Sequence, residues 1–212
     1  MLPQGGSGER ENYIMDIQKT IENLEARHFS VVHFATASEA CDYLTEAVRD
    51  TTVGIGGSKT ADQLGLFDKL CAVGNEVFWH WKNPGVETLM KENGAEVYIC
   101  SANAIAETGE ILNIDGNGNR LAALAFGKKR VYIVAGTNKI CPDLDSALHR
   151  ARNVAAVQNA RRFPCETPCK IDGVCHDCRT PTRICNALLV LWGPTGLMQK
   201  VEVVLIDEEL GM

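Results

Sequence analysis

The chain has 212 residues, a length that suits one domain or one domain with a small appendage. It is 45% hydrophobic and 23% charged, as is usual for globular proteins, so extensive disorder is not expected. The formal net charge of -6 argues against a general nucleic-acid binder, which needs the opposite sign.

The sequence carries neither a membrane span nor a secretory signal. No apolar run approaches the roughly 20 residues that a transmembrane helix needs. Met1–Glu11 is polar and glycine-rich, without the basic segment and apolar stretch of a signal peptide. We therefore expect a cytoplasmic protein whose residues 1–14 are a leader, an alternative start or a cloning remnant.

Hydrophobic periodicity predicts helices and strands that alternate along the chain. The predicted helices are Met15–His28, a helix capped by Thr36 or Ser38, one from the turn at Ser58 to about Leu70, Pro84–Asn93, Asn119–Phe126 and Pro142–Arg161. The predicted strands are Ser30–Ala35, Thr51–Ile55, Glu76–Trp81, Glu96–Cys100, Glu110–Ile114, Arg130–Ala135 and Val201–Ile206. This order implies one α/β domain over residues 15–212, with a mostly parallel sheet covered by helices on both faces. A Cys-rich insertion over residues 163–185 interrupts the pattern.

The segment Val53–Thr60, hereafter the glycine turn, follows a predicted strand and precedes a predicted helix. Glycines let backbone N–H groups approach a ligand, and a helix start favours negative charge. The turn therefore predicts a site for a phosphate, a carboxylate or another small anion. The alternative is a plain tight turn with a serine N-cap. The predicted contacts are Gly56, Gly57, Ser58, Lys59 and Thr60.

Four stretches of the chain resemble the LUD-domain proteins, the lactate-utilization family that includes the C subunit of the bacterial lactate oxidation system. They are SANAIAETGEI (101–111), GIGGSKT (54–60), VYIVAGTNKICPDLDSAL (131–148) and TPCKIDGVCHDC (167–178). The resemblance implies a fold like that of the sugar isomerases and CoA transferases, on a glucosamine-phosphate-deaminase-like core. It also implies a role in oxidising L-lactate to pyruvate alongside iron–sulfur subunits.

Comparison with that wider group bears on two residues of the first stretch. Related sugar-phosphate isomerases carry a catalytic aspartate where this sequence has Asn103. An amide does not cycle a proton near neutral pH, so Asn103 is expected to orient a ligand, and simple isomerisation is in doubt. Glu107 is the nearest carboxylate, and by analogy with CoA transferases it is a candidate nucleophile. The alternative for Glu107 is a solvated glutamate at a strand end.

Three further polar residues are candidates for contacts with the anion. Asn119 and Arg120 begin a predicted helix after the turn Asp115–Gly118, and the guanidinium of Arg120 is suited to bind a carboxylate through two hydrogen bonds. An ion pair that stabilises the fold is the alternative for Arg120. Lys139 follows a strand and is a second anion contact, unless it is a solvated loop lysine.

Five cysteines crowd into the Cys-rich insertion, and Cys175 and Cys178 form a CxxC pair. This spacing lets two thiolates bind one metal ion, and zinc or an iron–sulfur cluster fits the ligand type. A redox pair or a thiol-rich loop without metal are the alternatives. The predicted ligands are Cys169, Cys175, Cys178 and Cys185.

Two classes of function remain open at this point. One is an enzyme or enzyme subunit that acts on a small anionic molecule at the glycine turn. The other is a non-catalytic partner or regulator of iron–sulfur oxidoreductase subunits, or a thiol or metal redox module. The sequence leaves a homo-oligomer open and points to neither nucleic acid nor membrane as a partner.

Overall fold

The computed structural model describes residues 15–212, which form an α/β fold on two sheets; the predicted leader, residues 1–14, lies outside the described residues. The strands are β1 (Ser30–Phe34), β2 (Thr52–Ile55), β3 (Glu76–Phe78), β4 (Val97–Cys100), β5 (Ala104–Ala106), β6 (Ile111–Asp115), β7 (Arg130–Gly136), β8 (Ile140–Cys141), β9 (Ala187–Leu191) and β10 (Val201–Ile206). The α-helices are α1 (Ile17–Ala26), α2 (Ala37–Ala47), α3 (Lys59–Gln63), α4 (Leu66–Ala72), α5 (Val86–Gly94), α6 (Asn119–Ala125), α7 (Leu144–Arg150), α8 (Ala156–Ala160) and α9 (Cys169–Asp172).

The larger sheet has six strands in the order β1-β10-β7-β4-β2-β3, and every neighbouring pair is parallel. Successive residues of a strand point to opposite faces, so a strand covered on both sides must be apolar throughout. In β10, Val203 and Leu205 pack into one core, whereas Val204 and Ile206 pack into the other. The predicted parallel α/β fold with helices on both faces is confirmed.

The smaller sheet has the order β8-β5-β6-β9, with antiparallel β5–β6 and β6–β9 pairs and a parallel β5–β8 pair. Of these four strands, only β6 is among the predicted ones. Ile105, Ile111 and Leu191 of this sheet join the same core as α1 and α6. One face of the large sheet is therefore covered partly by a second sheet.

Several predicted elements are shorter or divided. The helix expected from Ser58 to Leu70 is two helices, α3 and α4, which meet at Gly65. The strand expected to reach Trp81 ends at Phe78, and the long helix near the C-terminus contains a π-helical turn at Ala151–Ala155. Such turns widen a helix locally and often lie at functional sites. No helix within residues 15–212 has the length and apolar character to cross a membrane.

Candidate functional site

The glycine turn leaves the large sheet at the carboxyl end of β2, where ligands of parallel sheets usually bind. The Gly56 N–H donates to the carbonyl oxygen of Ile99 at 2.9 Å, so the turn stays attached to β4. A Cβ on Gly56 would lie 2.6 Å from the Tyr98 hydroxyl, which explains the glycine by packing. The Ser58 side chain accepts from the Ala61 N–H and caps α3. Ser58 therefore acts as the N-cap that the alternative predicts. Gly57, Ser58 and Lys59 nevertheless line a cavity.

Beside the turn lies an inner cavity of about 50 Å³. It is bounded by the glycine turn, the ends of β4 and β7, the helix that contains the π turn, and the C-terminal residues. Four basic side chains and no aspartate or glutamate are among its lining residues. The residues that line it are Gly57, Ser58, Lys59, Ser101, Ala102, Asn103, Arg120, Lys139, Ala155, Asn159, Arg162, Gly211 and Met212.

Lys139 lies at the deep end of this cavity and is 3% exposed, so it is not a solvated loop lysine. Its Nζ donates to Ser101 Oγ at 2.6 Å and to Thr60 Oγ1 at 3.0 Å, and the two hydroxyls are 3.3 Å apart. Burial, and then the positive charges of Arg150 and Arg120, lower the pKa of Lys139 to about 7. An amine with a pKa in this range exists in both its neutral and its charged form near neutral pH.

Arg120 is committed to an ion pair. Its guanidinium donates to Asp115 Oδ1 from Nε at 3.0 Å and from Nη2 at 2.6 Å. Nη2 also donates to Asn103 Oδ1 at 3.2 Å, and that oxygen accepts from the Ile114 N–H at 2.7 Å. The ion-pair alternative for Arg120 is therefore realised, and Asn103 is held as a positioning amide. Both residues still line the inner cavity.

Arg162 is the basic residue that the sequence analysis did not propose as a ligand contact. It lies two residues beyond the end of α8, and its guanidinium carbon lies 4.3 Å from the ring centroid of Trp81. Nη1 also donates to Asn159 Oδ1 at 3.3 Å. Stacking of this kind holds a guanidinium in place while leaving its N–H edge able to donate. The sequence signal was the pair Arg161-Arg162, which stands at the C-terminal end of the predicted helix Pro142–Arg161.

An outer cavity of about 320 Å³ adjoins the inner one, and the two share Gly57, Arg120 and Asn159 as lining residues. His80 lines the outer cavity. Its backbone N–H and its ring Nδ1 both contact Oε1 of Glu92, which is fully buried in α5, at 2.5 and 2.7 Å. This contact fixes the ring so that Nε2 lies on the side of Gly57.

The remaining predicted contacts lie at the margin of the site or outside it. Lys59 is partly exposed and pairs with Asp62 at 2.5 Å, and Asn119 lines only the outer cavity. Glu107 lines neither cavity. It is buried at 5% exposure, its Oε1 is 2.7 Å from Lys19 Nζ, and it binds the N-terminal end of α1. The alternative of a solvated glutamate is therefore wrong, and this placement gives no support to the nucleophile.

The Cys-rich insertion passes beside the helix that contains the π turn. Cys169, Cys175, Cys178 and Cys185 line one small cavity there, and all four are free thiols. Within residues 15–212, however, no three His, Cys, Asp or Glu side chains come together as a group that could hold a metal ion. The residues as placed do not present a zinc or iron–sulfur site, and metal binding stays a prediction from spacing.

Comparison with known proteins gives one family and one related structure. The sequence profile of the LUD domain matches residues 17–206. A crystal structure of a DUF162 family protein from Deinococcus radiodurans superposes with a TM-score of 0.53 at 13% identity, covering 90% of this chain and 95% of that one. At this identity the superposition shows a shared fold. No curated protein matches.

Proposed function

Because the chain belongs to the LUD domain family, we propose that it serves lactate utilization by binding a small carboxylate or phosphate in the inner cavity. LUD domains are associated with lactate-utilization proteins, so membership supports a general role in that process. The proposal adds to this general role the class of the ligand and the cavity in which it binds.

The observation that carries the proposal is the imbalance of charge in the inner cavity, which four basic side chains line without a carboxylate side chain. Two of the four are compensated by carboxylates nearby: Arg120 by Asp115 and Lys59 by Asp62. Arg162 instead stacks on Trp81, and no salt bridge is found for it within residues 15–212. An anion that enters the cavity supplies the missing charge, and Arg162 is its main contact.

Calorimetric titration with lactate, pyruvate and inorganic phosphate tests this proposal. Arg162→Gln removes the charge and is expected to weaken binding of the preferred anion at least tenfold, because a hydrogen bond to a charged group contributes about 1.5–3 kcal/mol. Arg161→Gln is the matched control, since this neighbouring arginine does not line the cavity. Failure of all three anions to bind, or equal weakening by both variants, would contradict the proposal.

We further propose that the protein works with iron–sulfur oxidoreductase subunits, as the family resemblance implies. Three large side chains support a docking surface: Phe126, Trp192 and Leu197 are each about two-thirds exposed. The Thr195 hydroxyl donates to the Ala125 carbonyl at 2.7 Å and so holds their two segments together. Purification from the native host should yield a complex that contains iron and acid-labile sulfide, and Trp192→Glu should dissociate it. A protein that elutes alone and turns over lactate unaided would reject this function.

A further inference from the structure

The deep end of the inner cavity holds a pair of groups that anion binding does not need. The hydroxyl of Ser101 and the amine of Lys139 are 2.6 Å apart, and both residues line the cavity while being less than 5% exposed. Ser101 follows the last residue of β4, and Lys139 closes the turn after β7. Because β4 and β7 are hydrogen-bonded neighbours in the large sheet, the sheet fixes this distance.

The surroundings of the pair favour an uncharged amine. Arg150 and Arg120 repel a positive charge on Lys139, and burial removes the water that would solvate it. The nearest polar partners are hydroxyl oxygens, of Ser101 and of Thr60. A neutral amine within hydrogen-bonding distance of a serine hydroxyl is able to take its proton, as in enzymes that use a serine–lysine pair.

We propose that Ser101 is a nucleophile with Lys139 as its general base, and that the inner cavity accepts a short acyl group from an activated ester or thioester. This inference rests on the same cavity as the proposed function. The inner cavity measures about 50 Å³, and a short acyl group such as acetyl is its proposed occupant. Glu107, which lies outside the cavity, takes no part.

The proposed transfer balances in two steps. Ser101 Oγ attacks the carbonyl carbon while its proton passes to Lys139 Nζ, and a new ester bond forms. The bond from carbon to the leaving oxygen or sulfur breaks, and Lys139 returns the proton to the leaving group. Water then takes the place of Ser101 as nucleophile: Lys139 accepts a proton from the water and donates it to Ser101 Oγ, which releases the carboxylic acid.

Reaction of the whole protein with p-nitrophenyl acetate tests the proposal, with intact-mass measurement and peptide mapping. We expect a burst of nitrophenolate and a single acetyl group on Ser101. The rate of acetylation should rise about tenfold between pH 6 and pH 8, as the neutral fraction of an amine that titrates near pH 7 increases. Ser101→Ala should abolish the adduct, and Lys139→Met should slow its formation at least about 100-fold.

Control variants separate loss of chemistry from loss of fold. Ser38→Ala and Lys129→Met remove an exposed serine and an exposed lysine far from the pair, and should leave acetylation unchanged. If Ser101→Ala does not fold, Ser101→Cys should shift the adduct to a thioester at the same position. Circular dichroism checks the fold of each variant.

Two results would overturn the proposal: an acetyl group on Lys139 in place of Ser101, or no adduct on a folded protein. The wild-type protein distinguishes this failure from that of the proposed function. If it binds none of the three anions but is still acetylated on Ser101, only the anion site is overturned, whereas anion binding without acetylation overturns only the nucleophile.

Discussion

Replacing the buried Lys139 by methionine should stabilise the protein at neutral pH. In the unfolded chain a lysine titrates near pH 10.4, whereas in the fold burial lowers the pKa of Lys139 to about 7. Between these two values the unfolded chain binds more protons than the folded one. The free energy of unfolding therefore rises with pH through this window, and the cost of burying the lysine is largest at its lower end. Methionine has similar length and no charge to neutralise.

The size of the effect follows from the two pKa values. Each pH unit inside the window changes the stability by at most about 1.4 kcal/mol. Between pH 7.5 and pH 9.5 the advantage of Lys139→Met over the wild type should shrink by about 2–3 kcal/mol. The absolute gain at pH 7.5 is smaller than the full proton cost of about 4 kcal/mol, because the variant also loses two hydrogen bonds of about 1 kcal/mol each, to Ser101 and Thr60.

Urea unfolding of both proteins at pH 7.5, 8.5 and 9.5 measures this difference. Groups that titrate in both proteins, such as the free cysteines in the presence of a reductant, contribute equally to both and do not affect the difference in their free energies of unfolding. Lys59→Met is the matched control, since that ammonium is partly solvated and pairs with Asp62, and its removal should change the free energy of unfolding by less than about 1 kcal/mol at each of these pH values. A stability difference for Lys139→Met that stays constant over these two pH units would refute the reasoning, because it would mean that the buried amine keeps its proton.

Two further substitutions test how the structure supports the site. Lys128→Met should lower the free energy of unfolding by about 1.5–3 kcal/mol in urea titrations, because the buried Nζ donates to carbonyl oxygens at the end of α5, including that of Ala95 at 2.9 Å. Lys129→Met, at an exposed ion pair, should change it by less than about 1 kcal/mol, and equal losses would contradict this account. Gly211→Ala should slow p-nitrophenyl acetate acetylation, since Gly211 has φ +73° and an added Cβ would lie 2.5 Å from Thr60 Oγ1. Unchanged acetylation would show that the C-terminal segment does not position the lysine.

The parallel sheet was predictable because its signal is local. Strands covered on both faces read as nearly continuous apolar runs, and Val131–Ala135 in β7 and Val203–Ile206 in β10 have that property. β9 was missed although Ala187–Leu191 is equally apolar. β9 follows the Cys-rich insertion, and its partner β6 lies more than 70 residues earlier in the chain. No strand or hairpin turn next to it in sequence therefore indicated a strand at this position.

The sequence predicted the location of the candidate site better than it predicted the role of each side chain there. The glycine turn, Asn103, Arg120 and Lys139 do converge, since strands that follow one another in a parallel sheet end at one edge. Glu107 does not join them, because β5 and β6 form a hairpin that carries it to the side of α1. Whether a side chain is neutralised by a neighbour depends on contacts that sequence spacing does not contain.

Because of these contacts, the basic side chains that line the inner cavity have different roles. Arg120 is neutralised by Asp115, and Lys139 loses its proton near neutral pH, so neither is a strong fixed charge for an anion. Trp81 holds the Arg162 guanidinium by stacking and has no charge that would cancel it. Lysine in place of Arg162 would bring a second titratable amine into the same cavity. The arrangement thus assigns anion binding to the arginine at the mouth and leaves the lysine at the deep end for proton transfer.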